Sequence, residues 1–293
     1  MNTYKDGIVK ANGINYSYIE KGEGELLLCL HGFPDHALSF HNQLEFFSAN
    51  GYRVVAPYMR GYSPTEIPAD LSYHTAILGN DVLDIIESLG YKSATLIGHD
   101  WGGAAANAAA IINPERVEKL ITVSIARVSF QKSLISDPVQ QKRSWYMFFF
   151  LPAFAEYAVQ FNDYAFLEML WNDWSSSKWD FKNEFDLVKE TFKKPGVLSA
   201  ALNYYRCMFD PAKQNPDFSE IQQRIAFGKI SAPSLHIHGK EDNCMGVELC
   251  DGMEAFFAGS FKKVIIPDAG HFVHIQKADE FNRTVLEFLK EVR

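Results

Sequence analysis

Ala94-Thr95-Leu96-Ile97 runs without a linker into Gly98-His99-Asp100-Trp101-Gly102-Gly103, and an alanine-rich stretch follows at once. The short apolar run reads as a buried strand, and the residues from Trp101 read as a helix over 101–112. Together they make a G-x-D-x-G pattern in a strand–turn–helix setting. Glycines two before and two after the central residue suit an elbow so tight that side chains there would strike neighbouring backbone. The turn pushes the Asp100 carboxylate outward, and the helix start directs free N–H groups and positive potential at it. Aspartate is also a favoured N-cap, so the elbow alone leaves a capping role open.

Outward from the elbow, strand-like runs at 26–30, 53–57, 119–125, 234–237 and 263–266 alternate with helical patterns at 39–49, 74–89, 246–257 and 277–292. That alternation predicts an α/β fold, a mostly parallel central sheet of buried strands with helices on both faces. Two alternating segments within 7–19, separated by Asn12-Gly13, predict an antiparallel hairpin capping one sheet edge. Between 127 and 227 the alternation stops, and residues 130–209 hold 20 of the 41 aromatic residues. We read a core of 1–127 and 228–293 interrupted by a helical lid over 128–227. The lid is expected to lie across the carboxyl ends of the strands, where open α/β sheets bind ligands. Most of its aromatics are assigned to packing.

Composition narrows the partners. The 293 residues carry a net charge of −8 with both signs scattered and no basic run, which argues against nucleic acid and anionic membrane surfaces. The aromatic-rich stretch 145–155 is about half of the roughly 20 residues a membrane helix needs, so no membrane insertion is expected. The first ten residues have no signal-peptide pattern, and a cytoplasmic location is the expectation. Cys29, Cys207, Cys244 and Cys250 form no CxxC and are read as buried thiols. No phosphate-binding glycine loop, zinc-ligand spacing or calcium loop is visible, so neither cofactor nor metal is expected.

Three further motifs bear on Asp100. The apolar 26–30 run ends in His31-Gly32-Phe33-Pro34-Asp35. In hydrolases built on such an elbow, a backbone N–H from this turn and the one just after the nucleophile form an oxyanion hole, here Phe33 and Trp101. His31 is read as pinning the turn and Asp35 as bonding within it. Second, the 234–237 run leads to Gly239-Lys240-Glu241-Asp242, where Asp242 is the candidate orienting acid and Glu241 the neighbouring alternative. Third, Gly270-His271-Phe272 puts a histidine on a loop after a late strand, downstream of the acid. The order nucleophile, acid, histidine is the one this elbow architecture uses. His236, His238 and His274 are read as structural.

Taken together, HGFPD, Arg60-Gly61-Tyr62-Ser63-Pro64-Thr65, GHDWGG, the GKED turn and GHFVH resemble the soluble epoxide hydrolases of the α/β-hydrolase superfamily, over nearly the whole chain. The resemblance implies two epoxide-binding phenols in the lid. The first maps to Tyr146, within Arg143-Ser144-Trp145-Tyr146, and the second to Tyr205, with adjacent Tyr204 as an alternative. It also implies a substrate site lined by Phe33, Trp101 and Trp145. Gln276 departs from the family, where glutamate is common at that position.

An aspartate nucleophile suits attack on an sp³ carbon, because it leaves an ester whereas serine would leave an inert ether. His271 could then activate water against the ester carbonyl with no cofactor. The expected partners are a small apolar epoxide and water. A haloalkane dehalogenase with the same triad is an alternative, Trp101 serving as one halide donor, and a non-catalytic ligand receptor is another.

Overall fold

The structure is a computed structural model describing residues 4–291. Eight strands form one sheet: β1 (Lys5–Ala11), β2 (Ile14–Lys21), β3 (Glu25–Leu30), β4 (Tyr52–Pro57), β5 (Ala94–His99), β6 (Val117–Val123), β7 (Ser234–Gly239) and β8 (Phe261–Ile266). Their spatial order is β1-β2-β4-β3-β5-β6-β7-β8, parallel from β4 through β8 and antiparallel at the β1–β2 edge. Asn12 and Gly13 both take positive φ in the hairpin turn, as the sequence predicts.

Strand alternation sets the two faces of the core. Leu26, Leu28 and Leu30 enter one buried apolar cluster while Leu27 and Cys29 enter the other. Each fully buried leucine contributes about 2 kcal/mol of transfer free energy. The first cluster is covered by α2 (Thr75–Ser88) and α3 (Trp101–Ile112), the second by α1 (His41–Ser48) and the C-terminal helix Ala278–Glu291. Buried alanines 105, 106 and 108–110 keep α3 slim enough to lie close on β5.

Between β6 and β7 every regular element is helical: α4 (Arg127–Ser136), α5 (Pro138–Arg143), α6 (Trp145–Phe149), α7 (Ala155–Trp174), α8 (Lys182–Phe192), α9 (Val197–Phe209) and α10 (Ser219–Phe227), with two short 3-10 turns. Helix α7 is interrupted at Phe161 to Tyr164, where the backbone leaves helical geometry. After β8 come α11 (Val273–Gln276) and α12 (Ala278–Glu291). No helix among the described residues is long and apolar enough to cross a membrane.

Several local expectations need correction. Residues 246–257 form not one helix but two 3-10 turns, Val247–Cys250 and Met253–Phe256, because Gly252 at φ 74° breaks the run. The strand expected at 119–125 starts and stops two residues earlier, ended by Ser124 at φ 51°. The 39–49 pattern begins as a 3-10 turn, and β8 is an edge strand in which only Ile266 is fully buried. The last residue of the helix expected over 277–292 lies outside the described residues.

Candidate active site

Asp100 sits between β5 and α3 with φ 50° and ψ −118°, a conformation costing on the order of 1–3 kcal/mol for a residue with a side chain. A Cβ on Gly98 would strike the backbone of Gly102 and Gly103, and one on Gly32 would strike Asp100 itself. Glycine is therefore required on both sides of the carboxylate. The Asp100 side chain makes no capping bond to α3, which removes the N-cap reading. Instead Oδ1 accepts the Phe33 N–H at 2.8 Å, while Oδ2 lies 3.7 Å from His271 Nε2.

His271 is fully buried, and its Nδ1 lies 3.0 Å from Asp242 Oδ2. The other Asp242 oxygen accepts the N–H groups of Cys244 and Met245 at 2.8 and 2.9 Å. Of the two acids in the GKED turn it is Asp242 that contacts His271, while Glu241 is half-buried. Burial opposes charge on His271, but Asp242 and Asp100 outweigh it and hold the imidazole up, at about 10. Burial likewise opposes charge on Asp242, and His271 brings that carboxyl below its ordinary range.

The main chain of His271 is clamped. Its N–H donates to Trp174 O at 2.8 Å, and its carbonyl accepts from Ser124 Oγ at 2.7 Å. His99 Nε2 reaches the same carbonyl at 3.2 Å, and its Nδ1 faces Asp35 Oδ2 at 3.4 Å. The first Asp35 oxygen bonds within its own turn, to the His36 N–H at 2.8 Å. His31 accepts the Met59 N–H at 3.0 Å and so ties its turn to the chain after β4. Gln276 Oε1 accepts the Gly270 N–H at 2.6 Å, an acceptor role that a glutamate would fill equally.

Two lid tyrosines stand over the elbow. Tyr205 packs edge-on against Phe33 and Trp101, each at 5.3 Å between ring centroids, and against Tyr146 at 5.8 Å. Its buried hydroxyl has no well-formed hydrogen bond, the Trp101 indole being the near donor. Tyr146 Oη is paired only with Cys244 Sγ, at 3.4 Å. Burial holds both phenols well above their ordinary pKa, so they keep their protons. Tyr204 is committed elsewhere, donating to Arg60 O at 2.8 Å.

Trp145 is a correction. It is 43% exposed and packs on Phe149 and Phe166 on the outer side of the lid, because α6 turns the next residue, Tyr146, inward. The tryptophan that reaches this site is Trp174, at 5.3 Å from the His271 ring and 4.8 Å from that of Tyr146. Nothing in its sequence neighbourhood separates Trp174 from the packing aromatics around it. A cavity of about 470 Å³ borders Asp100 and Trp101; Ile125, Phe130, Met147 and Met208 line it together with Tyr204, and His74, Gln131 and Gln222 add polar groups to its wall.

A strained carboxylate at a strand–helix elbow, with a buried histidine and a second carboxylate in line, defines an α/β hydrolase. Residues 25–278 match the alpha/beta hydrolase fold family. The chain is 33% identical to Epoxide hydrolase 4 of Homo sapiens over 97% of this chain and 78% of that protein. It is 31% identical to Epoxide hydrolase 3 of Xenopus tropicalis over 97% and 77%. An inhibitor-bound epoxide hydrolase structure from Bacillus megaterium superposes with a TM-score of 0.83 at 29% identity, covering 97% of this chain and all of the other. The chain belongs to the alpha/beta hydrolase fold family, within its epoxide hydrolase branch.

Proposed function

We propose that this protein hydrolyses apolar epoxides to vicinal diols through an ester on Asp100. The observation that carries the reading is the pairing of an aspartate at the elbow with the uncommitted, protonated Tyr205 phenol and with Tyr146 beside it. Asp100 Oδ2, free of the bond that holds Oδ1, attacks an epoxide carbon. The carbon–oxygen bond breaks, one of the Tyr146 and Tyr205 phenols gives its proton to the departing oxygen while the other hydrogen-bonds to it, and the phenolate is reprotonated from solvent. The product is a hydroxyalkyl ester.

Ester formation removes the Asp100 charge, one of the two that hold His271 protonated. The imidazolium then gives up its Nε2 proton to solvent, and the neutral imidazole takes a proton from water as that water adds to the ester carbonyl. Oδ1 becomes the oxyanion, and the Phe33 and Trp101 N–H groups stabilise it. As the intermediate collapses, His271 gives the proton it took from water to the departing oxygen, releasing the diol, and the remaining carboxyl proton passes to His271 to restore the carboxylate and the starting state. The predominantly apolar part of the cavity wall next to Asp100, with Ile125, Phe130, Met147 and Met208, supports the choice of an apolar substrate.

One turnover in heavy-oxygen water should label the Asp100 carboxylate, because water attacks the protein's own carbonyl. Label confined to the diol would refute the ester route. A matched panel of epoxides and haloalkanes should give diol without halide release, whereas preferential halide release would assign the site to dehalogenation.

A further inference from the structure

The reaction leaves unused a second cluster of buried donor groups on the far side of Asp242. His236 and His238 project from the same face of β7, two residues apart, and Cys250 ends the 3-10 turn that packs beside them. All three are buried, and their candidate donor atoms lie within 4.8 Å of one another. His236 Nε2 is 3.2 Å from His238 Nδ1 and 3.4 Å from Cys250 Sγ. We propose that these three side chains form a binding site for one zinc-class divalent ion.

Three features support it. The two separations from His236 Nε2 fit: tetrahedral bonds of about 2.0–2.1 Å to nitrogen and about 2.3 Å to sulfur set ligand atoms roughly 3.4–3.6 Å apart, within a few tenths of those present. The outer hydrogen bonds are those of metal-bound histidines, whose second ring nitrogen meets an oxygen. His238 Nε2 donates to Met245 O at 2.7 Å, which fixes its tautomer and leaves the Nδ1 lone pair facing inward. His236 Nδ1 meets Thr122 Oγ1 at 2.9 Å. Third, two nitrogens with one sulfur suit zinc or cobalt better than magnesium or calcium.

Binding balances with one proton released. Without metal, the His236 Nε2–H points at His238 Nδ1 and Thr122 bonds to His236 Nδ1. With metal, His236 shifts its proton to Nδ1 and donates to Thr122, while Cys250 loses its thiol proton to solvent. The ion would staple β6, β7 and the 247–250 turn together. It would also firm the loop carrying Asp242, whose Oδ2 lies 3.4 Å from His238 Nε2.

The test is titration of the full chain with Co²⁺, whose spectrum reports both tetrahedral geometry and thiolate bonding. One equivalent should bind with a thiolate-to-cobalt charge-transfer band, raise Tm and be displaced by Zn²⁺. Cys250→Ser should lose that band, and His236→Gln should weaken binding at least tenfold. The native titration stands even if a variant misfolds, and circular dichroism would identify such a variant. No uptake at tens of micromolar metal, or a band that survives in folded Cys250→Ser, would overturn the proposal.

Discussion

The triad loops and the helical lid contribute to one site in different ways. Asp100, Asp242 and His271 each follow a strand of one sheet within three to five residues or fewer, so the sheet fixes their spacing and each is held by main-chain or carboxylate bonds. Tyr146 and Tyr205 come from separate helices, and no main-chain hydrogen bond holds either hydroxyl. Their positions rest on ring contacts. The sheet side thus carries strain and charge, while the helical side carries protonated phenols, which under the proposed reaction would meet a substrate oxygen.

The largest effect should come from the sheet side. Asp100→Asn should lower kcat by about 10⁴-fold or more, the scale seen when a nucleophile is removed from a covalent mechanism. Residual ring opening close to the native rate would show that the lid alone activates epoxides and would break the division. His271→Gln should instead leave alkylation intact and halt deacylation, so intact-protein mass should rise by the substrate's mass and stay there. Near-native turnover in that variant would move the base to another histidine.

The lid side predicts a different pattern. Tyr146→Phe or Tyr205→Phe should slow alkylation by about a hundredfold each, the scale of a lost oxyanion donor, with deacylation nearly unchanged. Tyr204→Phe sharpens the contrast between neighbours. It should cost about 1 kcal/mol of stability through the lost bond to Arg60 O, read as a lower Tm, and leave alkylation within a fewfold. Loss of alkylation in Tyr204→Phe alone would reverse the assignment.

Two smaller effects follow. The His271 pKa is raised on folding, so its contribution to stability is complete below the unfolded value of about 6.5 and fades as pH rises toward about 10. Native protein should therefore lose Tm across that window more steeply than His271→Gln, as differential scanning calorimetry would show. Parallel profiles would mean that His271 is not held protonated. Smallest of all, Trp145→Ala should change kcat/KM by less than about threefold, since the ring lies on the outer face of the lid.

What the sequence determined was local and periodic. Apolar runs, the Asn12-Gly13 turn and the G-x-D-x-G elbow announce strands, hairpin and strained elbow because each depends on a few adjacent residues whose steric demands are printed in their types. The elbow glycines are legible for that reason, as is His271 on its late loop. Residues 246–257 misled because their helical pattern ignores the left-handed backbone at Gly252. Tertiary structure alone decided which of two adjacent side chains faces the site. That Asp242 rather than Glu241 meets His271 and Tyr205 rather than Tyr204 packs on Phe33 are choices of direction, fixed by how distant segments pack, and the approach of Trp174 to the His271 ring is likewise a matter of packing. The same holds for the meeting of His236, His238 and Cys250, since the approach of a turn to a strand follows from packing the whole sheet and is written in no short stretch of chain.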